Sequence, residues 1–455
     1  MNNEKGKRAR NGETESHMKD RSLQAIISES EFIKPLKENV IPLLRFARIA
    51  DIGKRRFSTR FYFNLLAEAE KLESFMDDYG ARENKTWHHF AELVASIRNF
   101  AIAAFQLSHV IHRYADYHPD ESPESGDEFI KQGSQAMIYM NSIVSSLLEE
   151  SLEEMRRLGM DIKADEIKHE PFKEIDQKFT LPRNLEIDKW KTSEQRIMRI
   201  LESYRKIAVK MHRERFNKRV PPEDFEKLIP SRVNETKIRI IENTLHTLQS
   251  EYDTHIRKTD MEISNPDLSA FRAYISIPMH LMEMAHWLIH FYERHENEIH
   301  SDQSREKIAK LVDKKMVLGL VSRFAFYYAH KYVIAGKALS EKIMSSFIRK
   351  ARVEIAIPKP AGFHARPAYY VSLVVEEHGT DVFMYVNDRK FDARSVLDLL
   401  EAGGMVADLN LETVEFEGDE RTLADLELLA DCNYCENEKI PKQLNYIRVA
   451  RNIMA

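Results

Sequence analysis

Helix breakers are scarce over long stretches of this chain. Its first 350 residues hold nine glycines, and no proline lies between Pro42 and Pro119. A glycine inside a helix costs about 1 kcal/mol relative to alanine and a proline about 3 kcal/mol, so long stretches poor in both are free to stay helical. The apolar spacing predicts helices near 23–50, 57–79, 85–117, 127–158, 190–216, 233–258, 266–300 and 304–346. Asn265-Pro266 reads as a cap followed by a first-turn proline. Segment 159–189, with Pro171 and Pro182 among scattered charges, reads as an irregular connection between two helical halves, and Pro221-Pro222 as a second break. No fixed period recurs, which points to bundles and away from a solenoid.

Polar residues within these windows raise three questions of chemistry. Glu283, His286, His290 and Glu293 share one helical face, opposite an apolar stripe of Leu281, Met284, Leu288 and Phe291. Glu-x-x-His pairs ligate metals in di-iron bundles, but no second such helix accompanies this one, so the set reads as facing water and no metal site is expected. Arg98, His109 and His112 lie along one strip of a helix that is otherwise apolar, and the expectation is that they pair with carboxylates on neighbouring helices. Lys54-Arg55-Arg56, beside Phe57, Arg60 and Phe61, reads as a solvated basic face, and no nucleic-acid partner is inferred from it. The longest apolar stretches, 94–111 and 317–336, are interrupted by Arg98 and by Arg323, His330 and Lys331, as in buried helices and not membrane spans.

Composition bounds the rest. At 455 residues the chain has room for two or three domains, each with a core. Residues 1–21 are polar and charged, read as disordered and without the apolar core of a signal peptide. The only cysteines are Cys432 and Cys435, so no disulfide framework is implied and a reducing cytoplasm is the natural setting. Their Cys-x-x-Cys spacing is that of a redox or half-zinc motif with no second ligand pair. Net charge is −5 overall, but residues from Ala351 onward carry 11 Lys and Arg against 19 Asp and Glu, while the preceding part is slightly basic.

From Ala351 the pattern changes. Val353, Ile355 and Ile357 alternate as a strand, 366–378 reads as a helix, 381–386 and 389–393 as strands around an Asn387-Asp388 turn, and 394–404 as a short helix closed by Gly403-Gly404. A strand at 413–417 and a helix marked by Leu423, Leu426 and Leu429 follow. Gly362-Phe363-His364-Ala365-Arg366-Pro367 opens the first of these helices. A helix N-terminus offers unpaired N–H groups and a positive dipole end to an anion, and Pro367 fits there because no intrahelical donor is needed. An arginine adds a planar fork for phosphate oxygens. A histidine is largely neutral near pH 7 and nucleophilic.

This loop, together with the order strand, helix, strand, strand, helix, strand, helix over residues 351–431, resembles the histidine-containing phosphocarrier (HPr) family of the bacterial phosphotransferase system. The resemblance implies an α+β open-faced sandwich, βαββαβα, fused behind an all-α region spanning 22–350, with 432–455 as a C-terminal extension. It implies that His364 carries the phosphoryl group and Arg366 stabilises it. Ser395 falls where many members have a regulatory serine, and Phe363, Leu397 and Leu400 fall on the partner-docking surface. With Asp398 three residues on, Ser395 also reads as a capping box that needs no kinase. Asp398 and Glu401 depart from the small residues usual on that face. The implied partners are enzyme I, sugar-specific or regulatory acceptor components, an HPr kinase/phosphorylase, and a second copy through the helical region. No cofactor or membrane is implied. The expected function is a cytoplasmic phosphocarrier or phosphorylation-state regulator, the alternative being a non-catalytic protein that uses the same fold as a docking module for the helical domain. The high effective concentration of a fused domain, and more modestly the charge split, suggest that the helical region covers the face of His364, Leu397 and Leu400 in one state, with phosphorylation of His364 shifting the balance between docked and free arrangements. Ile440, Leu444, Ile447 and Val449 are expected to pack the tail back onto one of the two domains.

Overall fold

The computed structural model describes residues 26–52, 57–117, 123–160, 194–217, 220–296, 302–436, 440–445 and 447. The polar start, Lys54-Arg55-Arg56, nearly all of the 159–189 connection and Val449 lie outside the described residues. The chain is mostly helical, with a small antiparallel sheet of four strands near its C-terminus.

The helical region contains α1 (Glu29–Ile52), α2 (Thr59–Asp78), α3 (His88–Tyr117), α4 (Pro123–Arg157), α5 (Glu194–Arg213), α6 (Glu235–His255), α7 (Pro266–Glu296) and α8 (Asp302–Leu311). Lys314–Gly319, Leu320–Phe326 and Tyr327–Phe347 then run on as one helix, α9, with a π segment in the middle. Local chemistry sets several starts. Ser58, Asn234 and Asp313 each turn a side-chain oxygen onto first-turn N–H groups. The Asp313 cap divides what reads in sequence as one helix over 304–346 into α8 and α9.

α3 and α7 pack against each other, α3 also against α2 and α4, and α7 against α6 and α9. Both halves therefore share one apolar core, running from Phe32 to Met344. α3 is long and apolar enough to cross a membrane, but 83% of its most apolar window is buried among other helices, as a core helix requires.

The polar face of α7 corrects an expectation. His286 is buried, and with His290 and Glu293 it faces α6: His286 lies 3.7 Å from Glu235 and 3.4 Å from Glu242, and His290 Nδ1 is 2.9 Å from Glu235. Glu293 accepts the Glu235 backbone N–H at 2.9 Å. The set that sequence assigns to water is a seam, because α6 presents complementary carboxylates that α7 alone does not reveal. On α3, Arg98 meets Glu73 at 3.1 Å as expected, whereas His109 meets the His280 ring at a tilt, 4.6 Å between centroids, and His112 is exposed.

The C-terminal unit has the order β1 (Lys350–Ala356), α10 (Ala365–His378), β2 (Phe383–Val386), β3 (Arg389–Asp392), α11 (Val396–Asp408), β4 (Thr413–Asp419), α12 (Glu420–Asp431). Its strands lie in the order β1-β4-β2-β3. Ile355 pairs with Val414, and Met384 with Phe416. These side chains point under the three helices, while Arg352 on the other face bonds Glu415 and Glu417. α11 does not stop at Gly403-Gly404. It passes through them to Asp408, and Gly403 serves as a point of close approach, where a Cβ would sit 2.6 Å from the Phe363 carbonyl oxygen. Leu444 and Ile447 are fully buried in this unit's core, so the tail packs here and not on the helical region.

Candidate active site

The β1–α10 connection is shaped at two points. Gly362 takes φ 67°, a left-handed conformation that glycine adopts without a Cβ penalty, and its N–H bonds the Pro358 carbonyl at 2.9 Å. His364 then sits in extended backbone as the N-cap of α10, and its side chain does not cap its own helix. Its imidazole is therefore free to turn outward, 39% exposed, beside the first-turn Arg366.

Both side chains turn toward one carboxylate. Glu436 Oε1 lies 3.2 Å from His364 Nε2, and Oε2 lies 3.7 Å from Arg366 Nη1. Glu436 is only 14% exposed, and its Oε1 makes no aligned hydrogen bond, so the contact with His364 is a close approach and not a formed bond. Sequence reasoning missed Glu436, which follows α12 and is brought back to the loop by the turn before it.

That turn is a clasp on the β1–α10 connection. Asn433, Tyr434 and Cys435 all take positive φ, at 46°, 53° and 55°. Left-handed residues other than glycine cost roughly 1–2 kcal/mol each, so surrounding bonds must hold them. Asn433 supplies two, accepting the Lys359 N–H at 2.8 Å and donating to the Lys359 carbonyl at 2.7 Å. The Tyr434 hydroxyl donates to the Ala356 carbonyl at 2.8 Å, and its ring meets Phe363 edge-on at 5.4 Å. Burial pushes the Tyr434 phenol up, which keeps that donor protonated.

The other site residues from sequence divide. Phe363 is buried, between Tyr434, Phe416 and Gly403, so its side chain positions the loop from inside and is not a docking surface. Leu397 is 78% exposed and Leu400 half-buried beside the domain core. Ser395 caps α11, accepting the Asp398 N–H at 3.2 Å and donating to Asp398 Oδ1 at 2.7 Å. Asp398 does not reach back to the Ser395 N–H as in a reciprocal box. Its other oxygen takes the Asp392 N–H instead. Glu401 pairs with Arg389 at 2.6 Å, so both acidic departures on this face are engaged within their own unit.

Elsewhere, His89, Glu150 and Glu154 bring donor atoms within 4.8 Å of one another, the arrangement of a metal triad. Arg157 already bonds both glutamates, and Lys307 lies 3.7 Å from Glu154, so cations of the chain itself balance the two carboxylates. A cleft of about 320 Å³ between the helical region and the C-terminal unit is lined by Arg199, Glu377, His378, Arg421 and Asp425, among which Arg199 pairs with Glu377 and His378 is hydrogen-bonded to Asp425. No protein-family model, curated protein or solved structure matches this chain.

Proposed function

We propose that the C-terminal unit is an HPr-like phosphocarrier, in which His364 accepts a phosphoryl group from phospho-enzyme I and passes it to a sugar-specific or regulatory component of a bacterial phosphotransferase system. The observation that carries this reading is that His364 and Arg366 reach the same carboxylate, at 3.2 and 3.7 Å. A nucleophilic nitrogen and a guanidinium converging on one anion is what phosphoryl transfer requires. The element order and the strand order β1-β4-β2-β3 under three helices support the HPr-like assignment.

In the reaction, a ring nitrogen of His364 attacks phosphorus while the bond from phosphorus to enzyme I breaks. Arg366 and the N-terminus of α10 stabilise the oxygens of the transferred group. Leu397, exposed beside this end of α11, is the apolar contact for enzyme I and the acceptors. Ser395 is the site at which a kinase would act. A phosphate there would replace the bond to Asp398 with a repulsion and place charge against Leu397. The setting we infer is cytoplasmic, since two cysteines in 455 residues provide no structural disulfide framework of the kind that exported proteins rely on. The alternative, a docking module without transfer, gives no reason for a histidine and an arginine to converge on an anion.

The test is incubation of the full chain with enzyme I and labelled phosphoenolpyruvate. An acid-labile label is expected on the wild type and none on His364→Ala, with Arg366→Ala labelled at least roughly tenfold more slowly. Equal labelling of wild type and His364→Ala would refute the assignment.

A further inference from the structure

We propose that Cys432 and Cys435 form a thiol–disulfide site whose closure locks Glu436 onto His364 and Arg366. The two sulfurs are in contact, with Sγ atoms 3.3 Å apart, in a structure where both are thiols.

The placement gives this chemistry a consequence. The left-handed turn Asn433–Cys435 lies between the two sulfurs, and Glu436 is the next residue. The strained turn is held by Asn433 on Lys359 and Tyr434 on Ala356, and when those bonds open Glu436 is released from the loop. A disulfide forms only where the sulfurs already meet, which is the closed turn. By linkage, a bond that only the closed state makes must stabilise the closed state. Oxidation therefore holds Glu436 in place, where it occupies Arg366 and sets a negative charge beside the imidazole that a phosphoryl dianion must approach. Reduction leaves the turn free to open.

The oxidant is a low-molecular-weight disulfide. The thiolate of Cys432, which is buried at 7% exposure against 3% for Cys435, attacks one of its sulfurs to form a mixed disulfide and expel one thiol. Cys435 attacks the Cys432 sulfur and expels the second. Two electrons pass from the protein dithiol to the reagent, whose two product thiols carry away the two protons.

The consequence for transfer rests on His364 being the phosphoryl acceptor, whereas the thiol chemistry does not. The full chain is poised in reduced or oxidised glutathione, then assayed for thiol count, hydrogen exchange and phosphorylation by enzyme I. Oxidised glutathione is expected to remove both thiols together within one chain, to raise protection around 362–364 and 433–436, and to slow His364 phosphorylation roughly tenfold, reversibly with dithiothreitol. The variant with Cys432→Ala and Cys435→Ala keeps the reduced rate in both buffers, and Glu436→Gln still loses both thiols while its transfer rate no longer responds. The wild-type comparison needs no variant to fold. Thiols that persist in the folded chain, protection that does not change, or equal transfer rates in the two wild-type forms would each overturn the proposal. If neither form is phosphorylated, the phosphocarrier reading falls, and protection alone then decides whether the disulfide locks the clasp.

Discussion

Burial pushes the Glu283 carboxyl up to about 7, with the Glu242 carboxylate adding to the effect. His280, one turn earlier, is driven down to about 3 by burial and by His109. Gln106 stands between them, its Oε1 2.6 Å from His280 Nδ1 and its side chain bonded to Glu283. The two titrations act in opposite directions. Glu283 has a raised folded value, so its contribution is complete below the unfolded range near 4.3 and is lost as pH rises through about 7. His280 has a depressed value, so its contribution is complete above about 6.5 and is lost as pH falls toward 3. Glu283→Gln copies the protonated carboxyl. It is expected to stabilise the chain by about 1–3 kcal/mol near pH 8 and to change little near pH 4, as read by urea denaturation at both values. A gain of the same size at both would mean that the side chain, and not its charge, is at fault. At the candidate site, His364 and Arg366 are legible in sequence because they are neighbours on one helix turn. Glu436 is not, because only a run of left-handed residues brings it back to the loop. Phe363 is misread for a related reason: the loop that exposes His364 must bury the residue before it.

Helices are where the sequence speaks most plainly, since breaker scarcity and apolar spacing act within a single segment. What they do not disclose is how an exception inside a helix is made tolerable. Pro278 lies within α7 and leaves the carbonyl of Tyr274, four residues earlier, without its helical donor. The Tyr204 hydroxyl on α5 supplies one, at 2.7 Å. Complete burial pushes that phenol far up, so the donor stays protonated. α9 makes room for the pair at Gly336, where a Cβ would overlap the Tyr204 hydroxyl and sit 2.6 Å from Tyr274 Cβ. Proline, tyrosine and glycine on three helices thus form one junction, although each alone reads as a weak point. Gly336 has ordinary helical space on its own backbone, so alanine there would favour the isolated helix. In the fold, Gly336→Ala is expected to destabilise by about 1–3 kcal/mol, lowering the thermal midpoint. A rise in that midpoint would show that α5 moves aside freely and that the junction is loosely packed.

The helical region and the C-terminal unit meet at a place the charge split does not foretell. The contact runs through α5 and the far end of α10, where Arg199 pairs with Glu377 and Glu202 packs on Gly379. Arg421 is the hub: it bonds both oxygens of Asp419, reaches Glu194 at 3.2 Å, and donates to the Phe347 carbonyl at 3.1 Å. The face expected under the helical region is open in this arrangement, with Leu397 78% exposed and His364 39% exposed. A net charge difference sets long-range attraction, but the orientation is fixed by particular pairs that the chain brings together only once folded. Asp419 is almost fully buried. Burial alone would raise its carboxyl, but the hydrogen bonds and charge of Arg421 outweigh that and hold it below the usual range. With a depressed folded value, the stability it contributes is present above about 3.9 and is lost as pH falls further. Arg421→Ala would leave that carboxylate buried with the backbone N–H of residue 421 but without its guanidinium, at a cost on the order of 2–3 kcal/mol once the partial exposure of Arg421 is allowed for. It is expected to split thermal unfolding into two transitions, the C-terminal unit melting first. The same variant, still folded at low temperature, is expected to accept a phosphoryl group on His364 at the wild-type rate, because nothing it loosens covers that face. A severalfold faster transfer would instead show that the helical region reaches the His364 face in solution and gates it through this hub.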